Sequence, residues 1–297
     1  MTIDALRTPD TCFADLPDWP YAPRYLDDLA GYEGLRIHYI DEGPPEGRTF
    51  LCLHGEPTWA YLYRRMIPVF LGSGARVVCP DMLGFGRSDK PVEDATYGFH
   101  FHRNMLLALV ERLDLTRITL VVQDWGGLLG LTLPMDLPDR IDRLLAMNTT
   151  LATGNPAGQG FEDWRAYVAA NPDLDVGKLM SRACPHLTPG EVAAYAAPFP
   201  DQSYKAGVRR FPQMVMTEPG MEGVETSKRA AHFLANNWQG ESFMAIGLAD
   251  PVLGGPAMRH LHGLIRNCPA PLEIPDGGHF LQEWGAPVAE AALTQWG

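Results

Sequence analysis

Ile118-Thr-Leu-Val-Val-Gln-Asp124-Trp125-Gly126-Gly127 is the stretch on which the reading of this chain turns. Its opening residues, Ile118–Val122, are the most β-branched run in the sequence, and a short apolar run of that kind predicts a buried strand. The strand runs straight into an acid. A Gly-Gly pair follows, and a helix is predicted to start just after Gly126. Strand, sharp turn and helix with small-x-nucleophile-x-Gly spacing form the context of a nucleophile elbow, in which the turn lifts one side chain clear of the sheet. Asp124 stands where such an elbow usually carries serine. Taken alone, an Asp before a helix reads as an N-cap; the rest of the chain decides against that reading.

Working outward, Arg36–Asp41, Thr49–Leu53, Arg76–Cys79, Arg143–Met147, Phe243–Gly247 and Pro271–Ile274 also read as strands. Ala60–Leu71 and His102–Leu113 read as helices. Short apolar strands alternating with helices predict an α/β fold, a mostly parallel sheet covered by helices on both faces. The alternation fails between about Thr153 and Gly223, which reads as a helical cap inserted between core strands. The expected organisation is therefore a core in two parts, 1–152 and 224–297, with a cap at 153–223.

Three polar positions follow candidate strands in a telling order. His54-Gly55-Glu56-Pro57 comes after Thr49–Leu53, Asp250 follows the Phe243–Leu248 segment, and His279 follows Pro271–Ile274 within Pro275-Asp-Gly-Gly-His-Phe280. Nucleophile, acid, then histidine is the chain order of an α/β-hydrolase triad. Each member lies just past the carboxyl end of a strand, the edge at which open α/β sheets bind ligands. A carboxylate near its ordinary pKa of ~3.9 is ionised at neutral pH and attacks carbon without a base.

Other motifs carry less. Gly84-Phe-Gly86-Arg-Ser88 imitates a serine elbow, but Lys90 stands where the pattern needs glycine, so Asp81–Gly86 reads as a structural loop. His100-x-His102 and His260-x-His262 lack a cysteine or carboxylate at metal-ligand spacing and read as surface or packing histidines, so no metal is expected. His54 reads as a loop prop rather than a base.

Composition excludes several classes. The 297 residues carry 24 basic and 36 acidic side chains, net −12, which disfavours nucleic acid and anionic membranes as partners. Five scattered cysteines fit reduced thiols, and neither a secretory leader nor a membrane-length apolar run is visible, so a soluble cytoplasmic protein is expected.

Together, H-G-E-P-T (54–58), P-D-x-x-G-F-G-x-S-D-K-P (80–91), V-Q-D-W-G-G (122–127), Asp250 and G-G-H-F (277–280) resemble the haloalkane dehalogenases of the α/β-hydrolase superfamily. Within them, Glu56 and an acid after the penultimate strand resemble the subfamily typified by the dichloroethane-degrading enzyme. The other subfamily has Asn in the first loop and a Glu one strand earlier, where this chain has Asn148. The inserted cap is shorter than in that type enzyme. The resemblance implies hydrolysis of short haloalkanes to alcohol, halide and proton without a cofactor. It implies Asp124, Asp250 and His279 as triad, and the backbone N–H groups of Glu56 and Trp125 as oxyanion hole. Trp125 and, by its place in the cap, Trp164 would hold the halide, with Phe161, Phe211 and Pro212 as cavity walls. An epoxide hydrolase shares the fold and the Asp elbow, and would want cap hydroxyls such as those of Tyr167, Tyr195 and Tyr204. A fluoroacetate-type enzyme would want arginine where Trp125 stands. A degenerate, non-enzymatic member would have lost triad residues, and all three are present.

Overall fold

The run 118–123 lies near the middle of an eight-stranded sheet. The structure, a computed structural model, describes residues 3–297; residues 1 and 2 of the expected first core segment lie outside the described residues. The strands are β1 (Ala5–Leu6), β2 (Arg24–Leu26), β3 (Ile37–Glu42), β4 (Thr49–Leu53), β5 (Arg76–Pro80), β6 (Lys90–Pro91), β7 (Ile118–Gln123), β8 (Ile141–Met147), β9 (Glu241–Gly247) and β10 (Leu272–Ile274). The main sheet has the order β10-β9-β8-β7-β4-β5-β3-β2, and β1 pairs with β6 separately. From β5 through β10 every pairing in the sheet is parallel; β3 and β2 add an antiparallel edge. Both central strands, β4 and β7, are buried along their whole length, as strands covered on two faces must be. Their register pairs Leu53 with Val122, and Gln123 pairs with Met147, so the loops after β4, β7 and β8 leave the sheet at one edge.

The predicted strands of the main sheet are present with ends shifted by one or two residues. The sequence reading missed β1, β2 and β6, which have two or three residues each. Predicted helix 60–71 breaks in two, a 3-10 segment Ala60–Arg65 and a helix Ile67–Gly72. Pro68 explains the break, since proline is tolerated in a first turn but not inside a continuous helix. The next helix is Phe99–Arg112 and starts three residues earlier than predicted. Glu222, distant in sequence, accepts the N–H groups of Phe99 and His100 and so caps that end from outside. The elbow helix is Trp125–Gly130, so it begins before Gly126 rather than after it.

Between β8 and β9 the chain is helical: Gln159–Ala170, Val176–Ala183, Pro189–Ala196, Ala206–Met214 and Val224–Asn236. Among the described residues, no helix is long and apolar enough to cross a membrane. One buried ionic cluster ties the inserted segment to the rest. Arg64 makes a two-pronged bond to Glu283 at 2.6 and 2.8 Å and reaches Glu191 of helix Pro189–Ala196 at 2.6 Å. Arg65 bonds the same two carboxylates, and the Tyr195 hydroxyl donates to Glu283. Glu283 is wholly buried, so removing its main partner strands a charge in a low-dielectric interior. Arg64→Ala should therefore lower unfolding stability by about 3–5 kcal/mol, measured by urea titration. A loss below ~1 kcal/mol would mean that the cluster holds nothing together.

Candidate active site

Asp124 sits at φ 49°, ψ −126°, a backbone region that side-chain-bearing residues rarely adopt. Neighbouring strands hold it there. Its N–H donates to Asn148 O at 3.1 Å, and its carbonyl accepts from the Thr149 hydroxyl at 2.7 Å. The turn also presses against β4: a Cβ on Gly126 would lie 2.0 Å from Leu53 O, so only glycine fits. The Asp124 side chain makes no capping bond to its own helix. Instead Oδ1 accepts the Glu56 N–H at 2.9 Å. Gly55 permits this approach, because a Cβ there would meet Oδ1 at 2.3 Å.

The other oxygen, Oδ2, lies 3.7 Å from His279 Nε2. On its far side the His279 ring donates from Nδ1 to Asp250 Oδ2 at 2.8 Å. Asp250 is fully satisfied: Oδ1 accepts the N–H groups of Val252 and Leu253, and Oδ2 also accepts from Asn148 Nδ2 at 2.9 Å. Burial would raise its pKa, but His279 and these donors win and hold it well below the carboxylate range. Burial would lower His279; the charge and hydrogen bond of Asp250, then the charge of Asp124, outweigh that and push it up to about 9. Burial raises Asp124, against His279 and backbone N–H groups. Burial and then the Asp124 charge push the Glu56 carboxyl well up, so it adds little negative charge beside Asp124.

The residue patterns find their counterparts in this geometry. A fold-family model, described as the alpha/beta hydrolase fold, matches residues 48–286. A haloalkane dehalogenase from Psychrobacter cryohalolentis is 44% identical over 284 residues, covering 94% of this chain and 93% of its own. Another, from Mycolicibacterium paratuberculosis, is 40% identical over 298 residues, covering 98% and 97%. The tetrameric haloalkane dehalogenase DpaA from Paraglaciecola agarilytica NO2 matches with a TM-score of 0.97 and 53% identity over 98% of each chain. The chain belongs to the haloalkane dehalogenases.

In this dehalogenase Trp125 is buried, and its ring meets the edge of Phe211 at 4.8 Å. Phe211 lies on helix Ala206–Met214 and also packs against Phe85, Tyr97 and His102; Pro212 beside it is buried. Trp164 lies on helix Gln159–Ala170, half-buried, stacked on Tyr167 rather than on Trp125. Phe161 lies in the first turn of the same helix, next to Gly160, where a Cβ would touch Pro251 and Val252 of the Asp250 turn; the Arg165 guanidinium covers its ring. Trp59 and Trp238 spend their N–H groups on Ala194 O and Ser242 Oγ. Trp296 Nε1 is buried without a partner among the described residues, so an unpaired indole N–H does not by itself single out Trp125 or Trp164. The dehalogenase also has a cleft of about 370 Å³ lined by Asp173, Asp175 and Lys205, on the inserted segment and away from these residues.

His54 is the prop expected of it: Nε2 accepts the Met82 N–H and Nδ1 donates to Gly55 O, both at 2.9 Å. Burial lowers its pKa, which suits this neutral form. Asp81 anchors the 81–88 loop through His38, Ala60 N–H and Arg87 N–H, a structural loop as read. His102 faces Gly98 O and Leu83 O, His262 faces Cys268 O and Pro269 O, and His100 and His260 are exposed. Two polar residues at the dehalogenase site escaped the sequence reading as site residues, Asn148 and Gln123. Each stands at or just past the carboxyl end of a strand beside the elbow, a position that could have flagged them.

Proposed function

We propose that the protein hydrolyses short haloalkanes to alcohol, halide and a proton through an alkyl ester on Asp124. The observation that carries this reading is the division of labour at the Asp124 carboxylate: one oxygen held by the Glu56 backbone N–H, the other facing His279. Oδ2 attacks the carbon bearing the halogen; a C–O bond forms and the C–X electron pair leaves with the halide. Water then attacks the ester carbonyl and gives its proton to His279 Nε2, which Asp250 orients and stabilises as it becomes positive. Charge develops on Oδ1, which the Glu56 N–H already holds, with the neighbouring Trp125 N–H as the second donor of the oxyanion hole. Collapse breaks the bond to the alkoxy oxygen, which takes the proton from His279 and departs as alcohol. Asp124 is left as the acid and ionises.

The charge balance favours this order. In the free enzyme the Asp124 charge helps hold a proton on His279. Alkylation cancels that charge, so the imidazole gives up its proton more readily and is free to act as a base once there is an ester to hydrolyse. Helices within 153–223 form the cap over the two-part core, and the indoles of Trp125 and Trp164 cradle the departing halide, with Phe161, Phe211 and Pro212 as apolar walls. Indole N–H is donor-only and comes with an apolar body, which suits an anion that has left water. The acid after β9 and Asn148 after β8 agree with the subfamily typified by the dichloroethane-degrading enzyme.

Two of the three tyrosines that an epoxide hydrolase could use are poorly suited. Tyr195 is buried with its hydroxyl committed to Glu283, and Tyr167 is 46% exposed at the surface. Halide and alcohol release from a panel of chloro- and bromoalkanes, with an epoxide as control, tests the reading. Halide and alcohol in equal amounts are expected. Diol from the epoxide, with no halide from the panel, would overturn it. Trp125→Phe keeps an aromatic body and deletes the N–H. It should weaken bromide binding, followed by fluorescence quenching, and slow halide release by roughly 1.5–3 kcal/mol of lost stabilisation. Unchanged binding and rate would remove Trp125 from the cradle.

A further inference from the structure

We propose that Gln123 is a positioning residue for the base, opposing a proton on His279 Nε2 and so offsetting part of the pull of the two carboxylates that face the ring. This deepens the reading above and rests on it, since it concerns His279 as base. Gln123 is the last residue of β7 and is wholly buried. Its Nε2 donates to the His279 carbonyl oxygen at 3.0 Å and stands 3.2 Å from His279 Nε2. An amide nitrogen carries two hydrogens, one for each contact. The orientation is fixed by the first contact: a flipped amide would set its oxygen against the His279 carbonyl oxygen, two acceptors face to face. Gln123 Oε1 has no partner among the described residues, so the side chain is held through its nitrogen end.

The tautomer follows. Nδ1 already donates to Asp250. A proton on Nε2 as well would face the Gln123 N–H₂, donor against donor. The amide therefore favours neutral imidazole, the form that can take a proton from water. Opposing it are two carboxylates from other elements, Asp250 in the turn after β9 and Asp124 at the elbow. Other charged groups nearby add little. The buried Glu56 carboxyl, from the loop after β4, faces Asp124 and is pushed towards its neutral form. Glu283, beyond His279 in the chain, is taken up by Arg64 and Arg65. Asn148 does for Asp250 what Gln123 does for the ring, so two carboxamides at the ends of adjacent strands bracket the pair.

Removing the donor should raise the affinity of His279 for a proton. Nitrogen-15 NMR of histidine-labelled enzyme, without substrate, reads both pKa and tautomer. Gln123→Met should move the titration of His279 upward by about one pH unit. Gln123→Glu, which puts an acceptor in the same place, should move it further. In single turnovers with a bromoalkane, Gln123→Met should keep its halide burst, hydrolyse the ester about tenfold more slowly at neutral pH, and regain the native rate at higher pH. If His279 titrates as in the native enzyme in both variants, or if ester hydrolysis slows equally at every pH, the proposal is wrong and Gln123 only packs the loop. The NMR readout needs no ester, so it fails or succeeds independently of the covalent mechanism.

Discussion

His279→Gln should release one equivalent of halide per enzyme molecule and then stop, while Asp124→Ala releases none. The asymmetry follows from which bond each residue makes in the proposed scheme. Asp124 attacks the carbon, so its loss removes the first step. His279 touches only the second, through Nε2 and water, and glutamine fills much of its volume without accepting the proton. Positioned general bases contribute ~10²–10⁴-fold, so steady-state turnover in His279→Gln should fall at least a hundredfold. Rapid-quench measurement of halide with enzyme in the micromolar range separates burst from turnover. A slow rate without a burst would mean that His279 acts before or during carbon–halogen cleavage.

The second large effect is expected at Asp250. Asp250→Asn preserves shape, but the amide can turn its N–H₂ towards His279 Nδ1 and force the proton to Nε2, the wrong tautomer for a base. It also removes the charge that keeps His279 raised to about 9. Comparable changes in triads cost ~10⁴ in kcat. The loss should fall on ester hydrolysis and leave the halide burst intact. Turnover within a few-fold of native would move the orienting acid elsewhere, and the geometry offers little alternative: Glu273 is paired with Arg259 and Asp276 is exposed.

The central strands and the residues at their carboxyl ends were legible because local chemistry dictates them. β-Branched runs such as 118–122 have few other uses, and an acid or histidine just past such a run stands at the ligand-binding edge. What stayed hidden depends on partners distant in sequence. Strands β1, β2 and β6 are too short for a period, and exist because β6, β3 and β1 respectively offer them hydrogen bonds. The Phe99 helix start is fixed by Glu222, which no local pattern reveals. Gln123 and Asn148 look like ordinary strand-end polar residues until the register sets one beside His279 and the other beside Asp250.

The central claim is that the oxygen delivered to the alcohol comes from Asp124 and not from water. A single turnover in H₂¹⁸O, with enzyme in excess over a bromoalkane, tests it most directly. Attack of water on the ester carbonyl predicts unlabelled alcohol, with the heavy oxygen left in the peptide that contains Asp124. Labelled alcohol and an unlabelled Asp124 peptide would show that water attacks the substrate carbon itself, and would contradict the account.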